Sequence, residues 1–308
     1  MVKIKAGNQR GKKINREKLY LTLMAVPFVI YTIMFRYMPL FGWSFAFTNY
    51  KPGLSFSNLK FEGFKYFGYI AFLWKDVLNA LLNTIVLSGL SLLTMVFPIV
   101  FALLLNEVAN LRMKKLIQTT VTLPHFVSWV IVYALCFSLF STSGMVNQVM
   151  SLLGKSGTAN ILGNKDASWM FMTGLGLWKD MGWSSIVYLA AISGVDTELY
   201  DAARADGAGR FAMAIHITLP GLMSTFIVLL LLKIGNLLNV GFEKYLMFIN
   251  TITTSKLEVL DIFTYRIGIG TQQYSFATAV SILKSIVSVV LISLANTVAK
   301  KVRGETII

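Results

Sequence analysis

Hydrophobic residues in this chain gather into long, nearly continuous runs, with neither the two-residue alternation of strands nor the one-sided stripe of a water-soluble helix. A helix needs about 20 apolar residues to cross a bilayer. Six runs qualify, near 19–41, 79–105, 117–140, 169–192, 219–240 and 276–299. The segments between them alternate in character. Lys3, Lys5, Arg10, Lys12, Lys13, Arg16 and Lys18 precede the first run, Arg112, Lys114 and Lys115 follow the second, and "KKVRGETII" closes the chain. The intervening segments near 42–78, 141–168 and 241–275 are longer and mixed in charge. Short basic segments stay in the cytosol, so the pattern predicts an all-α membrane protein with six transmembrane helices and both termini cytosolic. The first run is too long for the core of a cleavable signal and lacks a small-x-small site, so it reads as an anchor.

One polar interruption is longer than a connection needs. Residues 193–218 are cytosolic on this topology and contain "TELYDAARADGAGRFAMAIHIT" from Thr197 to Thr218. Asp196 or Thr197 can cap a helix there, and Glu198 and Asp201 suit its positive N-terminal end. Leu199, Ala202, Ala203 and Asp206 fall at i, i+3, i+4 and i+7, which makes one mostly small face. "DGAG" then breaks the helix, because Gly207 and Gly209 can take positive φ. A second short helix, Arg210 to Thr218, would lead to Pro220 at the start of the fifth span, where proline is tolerated. A rigid cytosolic knob results, whose alanines let another protein approach closely.

Composition narrows the function classes. Of 308 residues, 56% are hydrophobic and 14% charged, against about a quarter charged in soluble domains. The net charge of +14 sits at membrane-flanking positions where topology and anionic lipid explain it, so nucleic acid is not a partner. A lone Cys136 inside an apolar run excludes disulfides and zinc. "GKS" at 154–156 is no phosphate loop, since Val149 stands where glycine is required. His125 and His216 have no HExxH context, and no Gly-x-Ser-x-Gly occurs. An intramembrane enzyme therefore has no visible machinery, and a passive channel would need no cytosolic knob.

The interruption also resembles a known family. "DAA" at 201–203, "DGA" at 206–208 and "ITLP" at 217–220 are similar to the signature Glu-Ala-Ala, Asp-Gly-Ala, Ile-x-Leu-Pro of the inner-membrane permease subunits of binding-protein-dependent ABC importers. Asp201 replaces the usual Glu and keeps its charge with a shorter reach, and Ala214 stands where an aromatic is common. "LNALLNTIVLS", "LPHFVSWVIV", "GMVNQ", "LAAISGVDTELYDAA" and "YSFATAVSILKSIVSVVLISLAN" resemble the branch importing oligosaccharides derived from polysaccharides. The resemblance covers nearly the whole chain. It implies a type I importer fold with a basic tail at 1–18, a first helix and outer loop at 19–76, a core permease domain at 77–299 and a tail at 300–308. It implies a coupling helix, 197–209, seated in a cleft of a cytosolic ATPase, with Glu198, Leu199, Asp201, Ala202, Ala203, Asp206, Gly207 and Ala208 as docking residues. Implied partners are a second similar permease, two ATPase subunits and an extracellular binding lipoprotein or periplasmic protein that delivers the sugar. The place is a bacterial inner membrane. This chain would bind no cofactor of its own, ATP and Mg belonging to the ATPase, and would not be an enzyme. A non-sugar solute is the alternative cargo.

Polar groups inside spans default to function. "LWKDMGW" at 177–183, Lys233 with Asn236 and Asn239, and Lys284 interrupt the last three spans. At 1.5 Å per residue, Lys179, Asp180, Lys233 and Lys284 lie about 10–15 Å below the outer surface. They form one layer with an excess of two positive charges if all face inward, a layer that suits an anionic saccharide. Alternatively, each lysine snorkels or pairs with a neighbour. Sugars stack their C–H faces on aromatic rings, so Tyr133, Trp178 and Trp183 join Lys179, Asp180, Lys233, Asn236 and Lys284 as candidates for the substrate path. Trp129 and Tyr188 lie in the same spans, where interface belts and helix packing compete as explanations. Asn83 is expected to glue helices together, and Asn147 to cap or turn the third outer segment.

Overall fold

Backbone amides in lipid find no water, so a spanning chain must satisfy them within helices. The computed structural model describes residues 16–154 and 160–303, and among these the regular structure is helical apart from one isolated bridge between Thr48 and Phe61. The first fifteen residues, Lys155 and Ser156 of the "GKS" triplet, and the end from residue 304 lie outside the described residues.

Among the described residues, five helical stretches are long and apolar enough to cross a membrane: Leu19–Phe47, Trp74–Asn106, Trp129–Leu152, Arg210–Gly235 and Tyr274–Thr297. The remaining expected span is one helix, Ser168–Ile192, whose 25 residues reach about 37 Å. Lys179 and Asp180 make it less apolar without shortening it. These six are numbered here as spans in chain order.

Prolines set where the spans bend. Pro98 has no N–H to give the Thr94 carbonyl and crowds it, so the second span breaks between Trp74–Leu93 and Val96–Asn106. Pro124 has a larger effect. The run 117–140, expected as one span, is two elements: a separate helix Leu111–Thr122, capped by the Asn110 side chain and packed along the fourth span, and the third span, which starts only at Trp129. Between them Leu123–Phe126 form a tight turn, and Val127 and Ser128 are extended. Pro220 does not start the fifth span, as expected, but lies within it. The helix runs from Arg210 and absorbs the missing donor in one wide π-helical turn, Ala214–Thr218. It ends at Gly235, earlier than the expected 240.

Segments read from sequence as outer loops also carry helices: Lys65–Phe72, Phe242–Phe248, Thr254–Leu257 and Leu260–Tyr265. They pack Ile70, Leu260 and Phe263 against Ala46, Ala80 and Phe276 of the first, second and sixth spans. Asn83 ties the second span to this layer, its amide donating to the Ser255 and Glu258 carbonyls, both at 3.1 Å. Asn147 donates to the Ser141 carbonyl at 2.9 Å and so turns the chain after the third span's first half. Burial raises the Glu258 carboxyl above its usual range, while the Arg266 guanidinium, 2.6 Å away, opposes that shift. The expectations for Asn83 and Asn147 are both met.

The fourth span lies close against the 111–122 helix. A Cβ on Gly182 would lie 2.3 Å from the Val121 carbonyl oxygen. Glycine at this position lets the 111–122 helix rest on the span and brings the following turn, 123–128, against it.

Candidate functional site

The breaks and the close approach together shape a cavity of about 580 Å³ in the middle of the bundle. The second span supplies Leu87 to Pro98 around its break, the fourth supplies Thr173 to Tyr188, and Lys233, Asn239 and Lys244 enter from the fifth span and the segment after it.

Of the residues proposed from sequence for the path, Asp180, Trp183 and Lys233 line this cavity, together with Trp129, Tyr188 and Asn239. Asp180 has a partner that sequence spacing did not reveal. Its Oδ1 lies 2.9 Å from Nδ1 of His125, in the turn after Pro124. The same imidazole stacks on Trp183, centroids 4.6 Å apart and planes 3° from parallel. Lys233 donates to the Ser91 carbonyl at 2.8 Å, beside the break that Pro98 makes.

The other five lie outside the cavity. Lys179 is buried, and its ammonium donates to the carbonyls of Pro124, His125 and Val127 at 3.1, 2.5 and 2.6 Å. It holds the turn rather than facing cargo. Lys284 forms an ion pair with Asp261 in the Leu260–Tyr265 helix. Asn236 turns back onto the Leu232 carbonyl at 3.0 Å. Tyr133 packs edge-on against Phe248, centroids 5.2 Å apart, and Trp178 points away with about half its surface exposed. The layer with two excess positive charges therefore does not form, because carbonyls satisfy one of its lysines and an acid another.

Lys244 went unseen in the sequence, since it follows the fifth hydrophobic run and reads as part of a loop. Its ammonium lies 5.4 Å from the Trp129 ring and 5.1 Å from the Tyr245 ring, and a Cβ on Gly176 would come within 2.8 Å of its Nζ. Only its three-residue spacing from Gly241, a break in hydrophobic sequence, hinted that the chain turns back inward there.

A second feature stands where the second and fourth spans end. The helix Thr197–Ala205 is closed at both ends by local bonds. Asp196 accepts from the Glu198 amide at 3.0 Å. At the other end Gly207 has φ +79°, its amide donates to the Arg204 carbonyl and that of Ala208 to the Ala203 carbonyl, a Schellman closure. Gly209, expected to share the positive φ, is extended and starts the next helix. Tyr200 faces inward, its hydroxyl 2.9 Å from that of Thr218. Glu198, Leu199, Asp201, Ala202 and Asp206 face solvent, while Ala203 and Ala208 are half-buried. Asp201 pairs with Arg204 at 2.9 Å, and Phe211 stands beside them 79% exposed. His216 is exposed.

Comparison with known proteins agrees with this architecture. The family model described as "Binding-protein-dependent transport system inner membrane component" matches residues 94–304. Protein LplB of Bacillus subtilis is 41% identical over 297 residues, covering 95% of this chain and 92% of LplB. The polygalacturonan/rhamnogalacturonan transport system permease protein YteP of the same organism is 39% identical, covering 94% and 91%. A crystal structure of a bacterial ABC transporter involved in the import of the acidic polysaccharide alginate contains a chain that superimposes with a TM-score of 0.84 at 34% identity, covering 94% of this chain and 97% of that one. The same transporter in complex with an alginate pentasaccharide-bound periplasmic protein also matches with a TM-score of 0.84.

Proposed function

This chain belongs to the family of binding-protein-dependent transport system inner membrane components, and on that premise we propose that it forms half of the membrane pathway of an ABC importer for oligosaccharides cut from polysaccharides. The observation that carries the reading is the exposed, doubly closed helix Thr197–Ala205 at one end of a six-span bundle whose centre holds a polar, aromatic cavity.

Each part has a role that its geometry suits. The short helix docks in a cytosolic ATPase subunit through Leu199, Ala202 and the neighbouring acids, and its closed ends make it move as one body with the spans. Two ATPase subunits bind ATP and Mg, so this chain needs neither cofactor nor catalytic centre. A second permease completes the pathway, and an extracellular binding protein loads it. In this orientation both termini lie in the cytosol of a bacterial cell. Cargo occupies the central cavity, where Asn239 and Ser184 offer hydrogen bonds and the half-exposed Trp183 offers a ring face.

The test is ATP hydrolysis by the reconstituted complex, stimulated by loaded binding protein. Gly207→Asp puts a side chain on a left-handed backbone, and Ala203→Asp adds charge to the docking helix. Both variants are expected to insert and to lose stimulation. Normal stimulated hydrolysis in both would refute the docking assignment.

A further inference from the structure

Lys179, Lys233, Lys284 and Lys244 sit at membrane depth or beside it, and the first three have partners. Lys179 gives its donors to three carbonyls, Lys233 gives one to Ser91, and Lys284 is neutralised by Asp261. Lys244 differs. Its stem is held by Gly176 and the Trp129 and Tyr245 rings, and among the described residues no acceptor or acid forms a hydrogen bond or ion pair with its ammonium. Asp180, the acid in the same cavity, has its Oδ1 on His125. Aromatic rings hold a cation in place without supplying it a counter-ion, and a charge left unpaired in low dielectric is costly. The cavity thus presents an ordered ammonium with all its donors open, next to hydroxyl and amide groups suited to a sugar.

We infer that Lys244 is the specificity residue that recognises a carboxylate on the cargo, so that the imported saccharide carries a uronate unit. The inference rests on the importer reading above and names which group makes that importer selective. A carboxylate docked on Lys244 gives the ammonium the hydrogen-bonded acid that Asp180, engaged with His125 and acting on it only through space, does not supply, whereas a neutral sugar offers only hydroxyls. Gly176 belongs to the same device, because it is the absence of a side chain there that lets the ammonium reach its place.

The experiment uses the purified complex of both permeases and the ATPases, with the binding protein omitted so that its own selectivity does not enter. Binding of an oligogalacturonate is compared with binding of the same oligosaccharide after its carboxylates are reduced to alcohols. The wild type should bind the charged form about tenfold tighter or more. Lys244→Met should erase that preference by weakening the charged ligand alone, and Lys244→Arg should keep most of it. Gly176→Ala, which retains the charge but displaces it, should lower the preference and serves if the methionine variant fails to assemble. A preference that survives both Lys244→Met and Gly176→Ala, or equal binding of the two forms by the wild type, overturns the inference and leaves the importer reading intact. If the wild type binds neither form, the saccharide reading falls and this inference with it.

Discussion

Lys179 shows how a single charged residue was visible in the sequence while its task was not. A lysine and an aspartate inside a hydrophobic run mark a place where the bilayer rule is broken, so the position stood out. The partners are main-chain carbonyls more than fifty residues earlier, freed because Pro124 ends a helix, and no spacing rule reports a carbonyl. Lys179→Met takes the ammonium donor from three part-buried carbonyls, of which only that of Pro124 keeps another, the Val127 amide at 3.2 Å. It should lower the thermal stability of the detergent-solubilised complex by about 2–4 kcal/mol, seen as a clear drop in Tm. An unchanged Tm would show that water replaces the ammonium there. Gly182 allows a sharper comparison at the same scale. Gly182→Ala places a methyl 2.3 Å from the Val121 oxygen, whereas a methyl on Gly174, two turns earlier in the same helix, meets nothing within 4 Å. The first should abolish accumulation of folded complex and the second leave it unchanged, as read from size-exclusion profiles.

At the scale of elements, the hydrophobic runs located the spans because the requirement for about 20 apolar residues acts on length, which the sequence displays directly. Boundaries failed where proline and tertiary contact decided them. Nothing in the run 117–140 distinguishes residues that cross the bilayer from residues that lie on a neighbour; Pro124 and the close approach at Gly182 separate them. The docking helix was the most legible element, since its cap, its glycine stop and its small face are all local chemistry. One cap makes a graded prediction. Asp196→Ala removes the acceptor for the Glu198 amide and should cost the helix about 1 kcal/mol, with a partial loss of stimulated ATP hydrolysis. Asp196→Asn keeps the acceptor and should keep the coupling. Equal loss in both would assign Asp196 to contact with the ATPase instead of to the helix end.

For the molecule as a whole, the alternation of basic and mixed segments yields an orientation that thiol labelling checks. Cys136 is buried, so the natural background is low. Gly53→Cys should react with an impermeant reagent added outside intact cells, and Lys115→Cys and Arg210→Cys should react only after the membrane is opened. Reaction of Arg210→Cys from outside would invert the bundle and remove the docking role of its neighbour. The cavity was only partly legible because it is a product of assembly: it gathers residues from the second, third, fourth and fifth spans, and its Lys244 arrives on a segment that hydropathy assigns to a loop. Asp180 and Lys233 were found because each breaks an apolar run, and Trp183 because a sugar can stack on its ring. Lys244 breaks none.

The lysine anchor at the 123–128 turn carries an evolutionary consequence. Because Lys179 holds carbonyl oxygens and no side chains, the fastening does not depend on which residues occupy positions 125 and 126. The side chains at these two positions, including the imidazole that stacks on Trp183 and meets Asp180 behind the cavity wall, can therefore change without dismantling the joint that holds the turn. Substitution at His125 and Phe126 would thus shift Trp183 and Asp180, which do line the cavity, while the scaffold beneath stays fixed.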